Sequence, residues 1–404
     1  MEDRFKLSRR GFISTSLSGL AVAGIAGFSP GAVFGQEQKN KTAGEVIYRT
    51  LGKTGLRMPI VGMGVMNANN PEIVHAAYEN GIRHFDTAAR YQYGRNEQMV
   101  GNVIKNLGVR DKVIICTKEM RPAQREANTP EKTVERLKSN CEGSLKRLKT
   151  DYIDILCVHS VGSAEGASDS ALIEGMNQLK KEGKIRFSGV STHEAMTDVI
   201  NTVTEKKSFD VVLTAINVSM ADDVDLLAAI DNAAAKGIGI IAMKTQAGGQ
   251  RLPNRDSFQE FDSPTINTAC LKWVLRNESI ATSIPGFVNY THLMEDFSVA
   301  YDLEYTEDEK RFLTSNDLKL GLGFCRQCRQ CVSSCPRGVD VPDLMRVHMY
   351  AAQYGNFQHA RAELDDIRKD KSIDVCGSCP ECVASCANQV DIKSRVENLK
   401  SMYV

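Results

Sequence analysis

The run Thr129-Pro-Glu-Lys-Thr-Val-Glu-Arg-Leu-Lys-Ser-Asn-Cys-Glu-Gly-Ser-Leu-Lys-Arg-Leu148 is followed closely by Ile153-Asp-Ile-Leu-Cys-Val158. In the first, Thr129 suits a helix cap and Pro130 the first helical position, while Val134, Leu137, Cys141, Leu145 and Leu148 step by three and four along one face. The second is a short apolar run of the kind that forms a buried strand. The same pairing recurs outward in both directions. Strands are predicted at 58–65, 82–87, 113–117, 153–158, 185–190, 211–216, 238–243 and 282–285, with helical segments between them. Such a series argues for a parallel sheet closed into a (β/α)₈ TIM barrel, which takes about 250 residues. The rival, an open doubly wound sheet, calls for Gly-x-Gly-x-x-Gly after its first strand, and that motif is absent.

Past the barrel the cysteines concentrate: of 12 in the chain, eight lie between Cys325 and Cys386. Cys325-x-x-Cys328-x-x-Cys331-x-x-x-Cys335-Pro336 has the bacterial ferredoxin spacing, and Cys376-x-x-Cys379-x-x-Cys382-x-x-x-Cys386 repeats it. In that pattern three thiolates of one run hold a cubane, and the fourth ligand comes from the other run. One [4Fe–4S] cluster is therefore expected on Cys325, Cys328, Cys331 and Cys386, and a second on Cys376, Cys379, Cys382 and Cys335. Zinc would want two cysteine pairs per tetrahedral site, and disulfides an oxidising location. The doubled triple spacing favours clusters. The stretch 341–364 between the runs is mostly helical by pattern. A small, mainly helical ferredoxin-like domain is thus expected over 321–404, after a barrel over 45–320. Cys116, Cys141, Cys157 and Cys270 fall on strand or helix faces and read as core residues.

Lys and Arg number 50, as do Asp and Glu, so no basic excess exists to neutralise phosphates and no nucleic-acid partner is expected. The N-terminus carries Arg4, Lys6, Arg9 and Arg10 before a weakly apolar stretch from Gly11 to Phe34. Ser8-Arg-Arg-Gly-Phe-Ile-Ser14 resembles a twin-arginine export signal, against the plainer reading of a basic helix or uncleaved anchor. Residues 1–35 are expected to be that signal and 36–44 a polar linker. The export machinery is then a partner, and the location is periplasmic or in the cell envelope. A signal of this class suits a protein exported folded, with clusters already inserted.

Polar residues stand at the ends of successive strands: Asp86 with Tyr91, Lys118, His159 and Ser191. Tyr48-Arg-Thr-Leu-Gly-Lys-Thr-Gly55, Phe85-Asp-Thr-Ala88 with Tyr91, Cys116-Thr-Lys118, Asp154-Ile-Leu-Cys-Val-His159 and Gly189-Val-Ser191 together resemble the aldo/keto reductase family, in order and register from about Tyr48 to Phe297. The resemblance implies a catalytic tetrad of Asp86, Tyr91, Lys118 and His159. Hydride delivery to a carbonyl leaves an alkoxide needing a proton. Tyr91 would give it, Lys118 would lower the phenol's pKa, Asp86 would orient Lys118, and His159 would polarise the carbonyl oxygen. Tyr93 is a neighbouring competitor for the acid's role. His193 reads as a cap or pocket-wall residue.

For the nicotinamide the resemblance points to Ser191, Thr192, Lys244, Pro285, Gly286, Phe287 and Asp296. This half departs from the family's usual pattern. Thr192 stands where Asn is common, Leu213 replaces Gln, and Gly286, Phe287 and His292 offer no permanent cation to a 2′-phosphate. NAD is therefore expected over NADP. The function expected is an exported oxidoreductase acting on a small carbonyl or alcohol, with two clusters for electron transfer, to a partner protein among other acceptors. The alternative is an electron-transfer or scaffold protein whose barrel has lost nicotinamide-dependent reduction.

Overall fold

A computed structural model describes residues 44–122, 129–247, 260–315 and 323–404. The expected signal over 1–35, nearly all of the linker and the boundary at 320/321 lie outside the described residues. A two-stranded hairpin, Tyr48–Thr50 with Arg57–Pro59, precedes the barrel. Eight parallel strands follow in sequence order: β1 Met63–Gly64, β2 His84–Asp86, β3 Ile114–Met120, β4 Ile153–His159, β5 Ile185–Thr192, β6 Val211–Ala215, β7 Gly239–Met243 and β8 Thr282–Ser283. Parallel bridges from Val61 to Ser283 and from Gly64 to Gly286 join the last strand to the first. The Gly64 N–H donates to the Pro285 carbonyl at 2.8 Å. A Cβ on Gly64 would sit 2.7 Å from the Ile284 carbonyl oxygen, so glycine permits this closure.

The barrel is the one predicted. The first strand is the difference: the stretch 58–65 splits between the hairpin and β1, and its apolar residues fill the barrel floor and core. Around the strands lie α1 Pro71–Glu79, α2 Arg95–Leu107, α3 Pro130–Leu148, α4 Ser170–Lys181, α5 Met196–Lys206, α6 Val224–Ala235, α7 Ser263–Leu275 and α8 Tyr290–Ser298. In α3 the Thr129 hydroxyl accepts from the Lys132 N–H, Pro130 opens the helix, and Leu137, Cys141, Leu145 and Leu148 are buried. All four non-cluster cysteines are buried in the core.

After α9, Glu307–Leu313, the cysteine-rich region folds as a small helical unit. It contains α10 Val341–His348, which runs on as a π-helical stretch Met349–Gln353, then α11 Phe357–Asp366 and α12 Ile392–Tyr403. Tyr354 and Gly355, the latter at φ 63°, turn the chain between the π stretch and α11. This unit seats on the C-terminal mouth of the barrel. Asn356 Nδ2 donates to Asn67 Oδ1 at 2.8 Å, Arg329 pairs with Glu194 at 2.6 Å, and Arg326 pairs with Asp222 at 2.9 Å. Arg90, just past β2, reaches Asp366 and the Ala362 carbonyl on α11. The cysteine-rich unit therefore roofs the end of the barrel where the loops carry chemistry.

Candidate active site and iron–sulfur centres

The four rim residues meet. Asp86 ends β2, Lys118 lies within β3, His159 ends β4, and Tyr91 stands in the short turn after β2; all are buried. Lys118 Nζ donates to Asp86 Oδ1 and, at 2.8 Å, to the Thr87 carbonyl. The same ammonium lies 5.3 Å from the centre of the Tyr91 ring, and Tyr91 meets the His159 ring edge-on at 5.9 Å. Burial opposes the charge on Lys118, but the carboxylate of Asp86 prevails and holds the amine protonated. Burial drives His159 well below its ordinary pKa, aided by Lys118, so the imidazole is neutral. Its Nδ1 is buried without a hydrogen-bond partner. Tyr91 and Tyr93 separate cleanly: Tyr91 faces the cavity, whereas Tyr93 is 70% exposed.

One expectation about Tyr91 is reversed. Burial raises its phenol to about 12, and the pull of Lys118 only offsets this in part. The roof packs against this ring. His359 of α11 meets the Tyr91 ring edge-on at 5.5 Å, and Tyr350 packs on His359 at 4.4 Å. A phenol in this setting keeps its proton through the neutral range.

A cavity of about 540 Å³ runs from Asp86, Tyr91, Lys118 and His159 past Lys244 to Pro285, Gly286, His292 and Asp296. Its volume lies in the range of about 300–1,000 Å³ that small-molecule pockets take, and its lining sets Tyr91 and His159 at one end and Pro285 and Gly286 at the other. Lys244, Pro285, Gly286 and Asp296 line it as expected, and His193 is a wall residue. Ser191, Thr192 and Phe287 are not among its lining residues. The Ser191 hydroxyl accepts from the Ser160 N–H at 3.0 Å, the Thr192 hydroxyl donates to the Glu194 carbonyl at 2.8 Å, and Phe287 is fully buried. Loop bonds and core packing thus employ three residues expected at the nucleotide. Asp296 accepts from Gln246 Nε2 at 2.7 Å, and burial raises its carboxyl to about 8.

The roof also brings residues that the sequence reading missed. Gln353 and Tyr354 line the cavity, and the Tyr350 hydroxyl lies 3.1 Å from Lys244 Nζ. Lys244 sits over the rings of Tyr350 and Tyr354, at 4.4 and 5.1 Å from their centres. Burial lowers its amine to about 7. The available signal was two tyrosines four apart, in a chain only 6% aromatic, inside the predicted helical stretch.

The eight tail thiols gather into the two sets that the spacing predicted. Burial raises Cys325 to about 12, and the thiols near enough to add to the effect are Cys331, Cys386 and Cys328. Burial likewise raises Cys376 to about 11, with Cys335, Cys382 and Cys379 as its neighbours. Among the described residues no three of these thiols lie within 4.8 Å of one another. Gln327 Nε2 donates to Cys325 Sγ at 3.3 Å, and the Asn388 N–H to Cys386 Sγ at 3.3 Å, as second partners that favour thiolates.

Comparison with known proteins agrees with both halves. The profile of the aldo/keto reductase family matches residues 61–263, half of the chain, and that of the 4Fe-4S dicluster domain matches residues 324–391. Aldo-keto reductase YhdN of Bacillus subtilis is 34% identical over 155 residues, 36% of this chain; the chain spans about half, 46%, of that relative's length. L-galactose dehydrogenase of Arabidopsis thaliana is 27% identical over 289 residues, covering 63% of this chain and 88% of that protein. Among solved structures, aldo-keto reductase AKR11C1 from Bacillus halodurans in its holo form superposes with a TM-score of 0.53 at 22% identity, over 67% of this chain and 95% of that one. The eight-stranded closed sheet, the matched profile and the doubled cysteine run together place this chain in the aldo/keto reductase family, with a 4Fe-4S dicluster domain on the C-terminal side of its barrel.

Proposed function

We propose that the chain interconverts a small carbonyl compound and its alcohol, with Tyr91 as acid in reduction and base in oxidation. The carrying observation is the contact of Asp86, Lys118, Tyr91 and His159 in one cavity. When bound, a nicotinamide supplies or takes the hydride at the carbonyl carbon. Tyr91 transfers its phenolic proton to the oxygen, Lys118 compensates the phenolate left behind, and neutral His159 donates a hydrogen bond to the same oxygen. Steady-state reduction of small aldehydes with NADH and with NADPH tests this directly; no turnover with either would favour the electron-transfer reading, which the position of Ser191, Thr192 and Phe287 outside the cavity lining supports. We also propose export by the twin-arginine route, testable by fractionating cells and sequencing the mature N-terminus.

For the cofactor we propose NAD. A carboxyl at Asp296, near the nucleotide end of the cavity, can accept from a ribose hydroxyl and repels a 2′-phosphate once ionised. The Klebsiella pneumoniae aldo/keto reductase, at 22% identity, was solved with NADP. Above about pH 8, where Asp296 is ionised, Asp296→Asn should therefore raise kcat/KM for NADPH relative to NADH by about tenfold, the removal of one unfavourable charge being worth about 1.4 kcal/mol, whereas near pH 7 the ratio should change less. An unchanged ratio would remove Asp296 from cofactor choice.

Lys244 gives a pH signature. Below about 7 its amine is a cation in the same cavity as His159 and Tyr91, and above that it is neutral. The cation favours negative charge on the reacting oxygen, so kcat/KM for reduction should fall as pH rises through about 7. Lys244→Met should lack this ionisation and stay near the lower, alkaline level. A profile unaltered by the substitution would assign the ionisation elsewhere.

A further inference from the structure

Beside the catalytic cavity runs a larger open groove of about 1180 Å³, between α1, α2 and the turn leading into α11. Carboxamides dominate its lining. From the barrel come Asn67, Gln92 and, along α2, Gln98, Asn102 and Asn106. Steps of four put the last three in one row on the helix surface, and all three are exposed. From the cluster domain come Asn356 and Gln358, on either side of Phe357, whose side chain is 57% exposed. Asn67 and Asn356 bond each other across the seam, and Arg95 donates to Gln358. Asn356 also accepts from the His359 N–H, and Gln92 donates to the Met66 and Ala68 carbonyls, so the exposed row Gln98, Asn102 and Asn106 carries most of the donor and acceptor capacity that faces the groove. Permanent charge is balanced, with Glu72 against Arg95. Groove and catalytic cavity share Asn67, Val288 and Tyr354, so a ligand lying in one reaches the mouth of the other.

The chemistry of such a lining is selective. A carboxamide both donates and accepts, as a sugar hydroxyl does, and a row of them satisfies a row of hydroxyls without ionic attraction. An exposed aromatic face accepts the C–H side of a pyranose ring. A polyanion would find one cation offset by one carboxylate, and an apolar chain would strand the amides. The volume exceeds the roughly 300–1,000 Å³ of pockets for single small molecules. We propose that this groove, one wall of it supplied by the iron–sulfur domain, binds a neutral oligosaccharide chain and presents its terminal sugar to Tyr91. The redox role of that sugar rests on the carbonyl–alcohol reading above; the binding does not.

The test is saturation-transfer NMR and calorimetric titration of the full chain with both clusters. The probes are cellohexaose, maltohexaose, mannohexaose and, as the charged comparator, hexagalacturonate. At least one neutral hexaose should bind. Phe357→Ala and the double variant Asn102→Ala/Asn106→Ala should each weaken it about tenfold, the loss of one stacked ring or two hydrogen bonds. Unchanged brown cluster absorbance certifies the fold of each variant. Binding of hexagalacturonate alone, binding that both variants retain in full, or no binding of any neutral hexaose would overturn the proposal. Because the readout is binding, a chain that takes up a hexaose yet reduces no carbonyl keeps the groove and removes only the catalytic reading.

Discussion

Tyr91→Phe should abolish most carbonyl turnover, by about 10²–10⁴-fold in kcat, the range for removing a general acid. KM should change little, because the ring and its edge contacts with His159 and His359 remain. The effect is expected to be large because no neighbour can substitute. His159 is neutral but holds an imidazole N–H far less acidic than a phenol, and Lys118 is committed to Asp86 and the Thr87 carbonyl. Tyr93→Phe serves as the internal control, since that ring is exposed and away from the cavity lining. The measurement is single-turnover reduction of a small aldehyde, with thermal unfolding to show that both variants fold alike. Loss of turnover in Tyr93→Phe and its survival in Tyr91→Phe would exchange the two roles; survival in both would remove the proton-donor argument.

What the sequence made legible was whatever rests on period and spacing. The strand runs were readable because a parallel strand buried on both faces is largely apolar, as β7 (Gly239–Met243) is throughout. The tetrad was readable because each member stands at a fixed offset from a strand end. The two ligand sets were readable because a cubane dictates its own spacing. The roof was not legible, since Tyr350, Tyr354 and His359 reach the cavity only through the docking of one domain on another, and no local period encodes a docking angle. The direction of the Tyr91 pKa was missed because burial, the largest influence on the phenol, outweighs the lowering by Lys118. Ser191 and Thr192 lie outside the cavity lining. Their identities match a nucleotide site in part, yet their hydroxyls close loop bonds within the barrel rim.

Cys325→Ser should lower iron from about eight to about four atoms per chain, one cubane's share, and should also depress carbonyl turnover. The second effect follows from a continuous line of side chains. Gln327 Nε2 donates to Cys325 Sγ at 3.3 Å and its Oε1 accepts from Arg346 at 3.2 Å; Arg346 Nε donates to Glu363 at 3.1 Å. Glu363 lies 3.7 Å from His359 Nε2 and 3.6 Å from Arg90, and His359 packs on Tyr91. Each of these groups is held by the next, so losing the cluster that fixes Cys325 frees the first link and lets the roof loosen over the tyrosine. Networks of this kind transmit about 0.5–2 kcal/mol, which is roughly 2- to 30-fold in rate. Cys379→Ser removes the same amount of iron from the other set and should cost less turnover, because the bonded line to His359 starts at Cys325. Iron content, a brown absorbance at half intensity and kcat/KM measured on the same preparations decide the matter. Equal turnover losses in the two variants would show that any cluster loss unfolds the roof as one unit. Full turnover in Cys325→Ser would show that the roof holds its place by the barrel contacts of Arg90, Arg326, Arg329 and Asn356 alone.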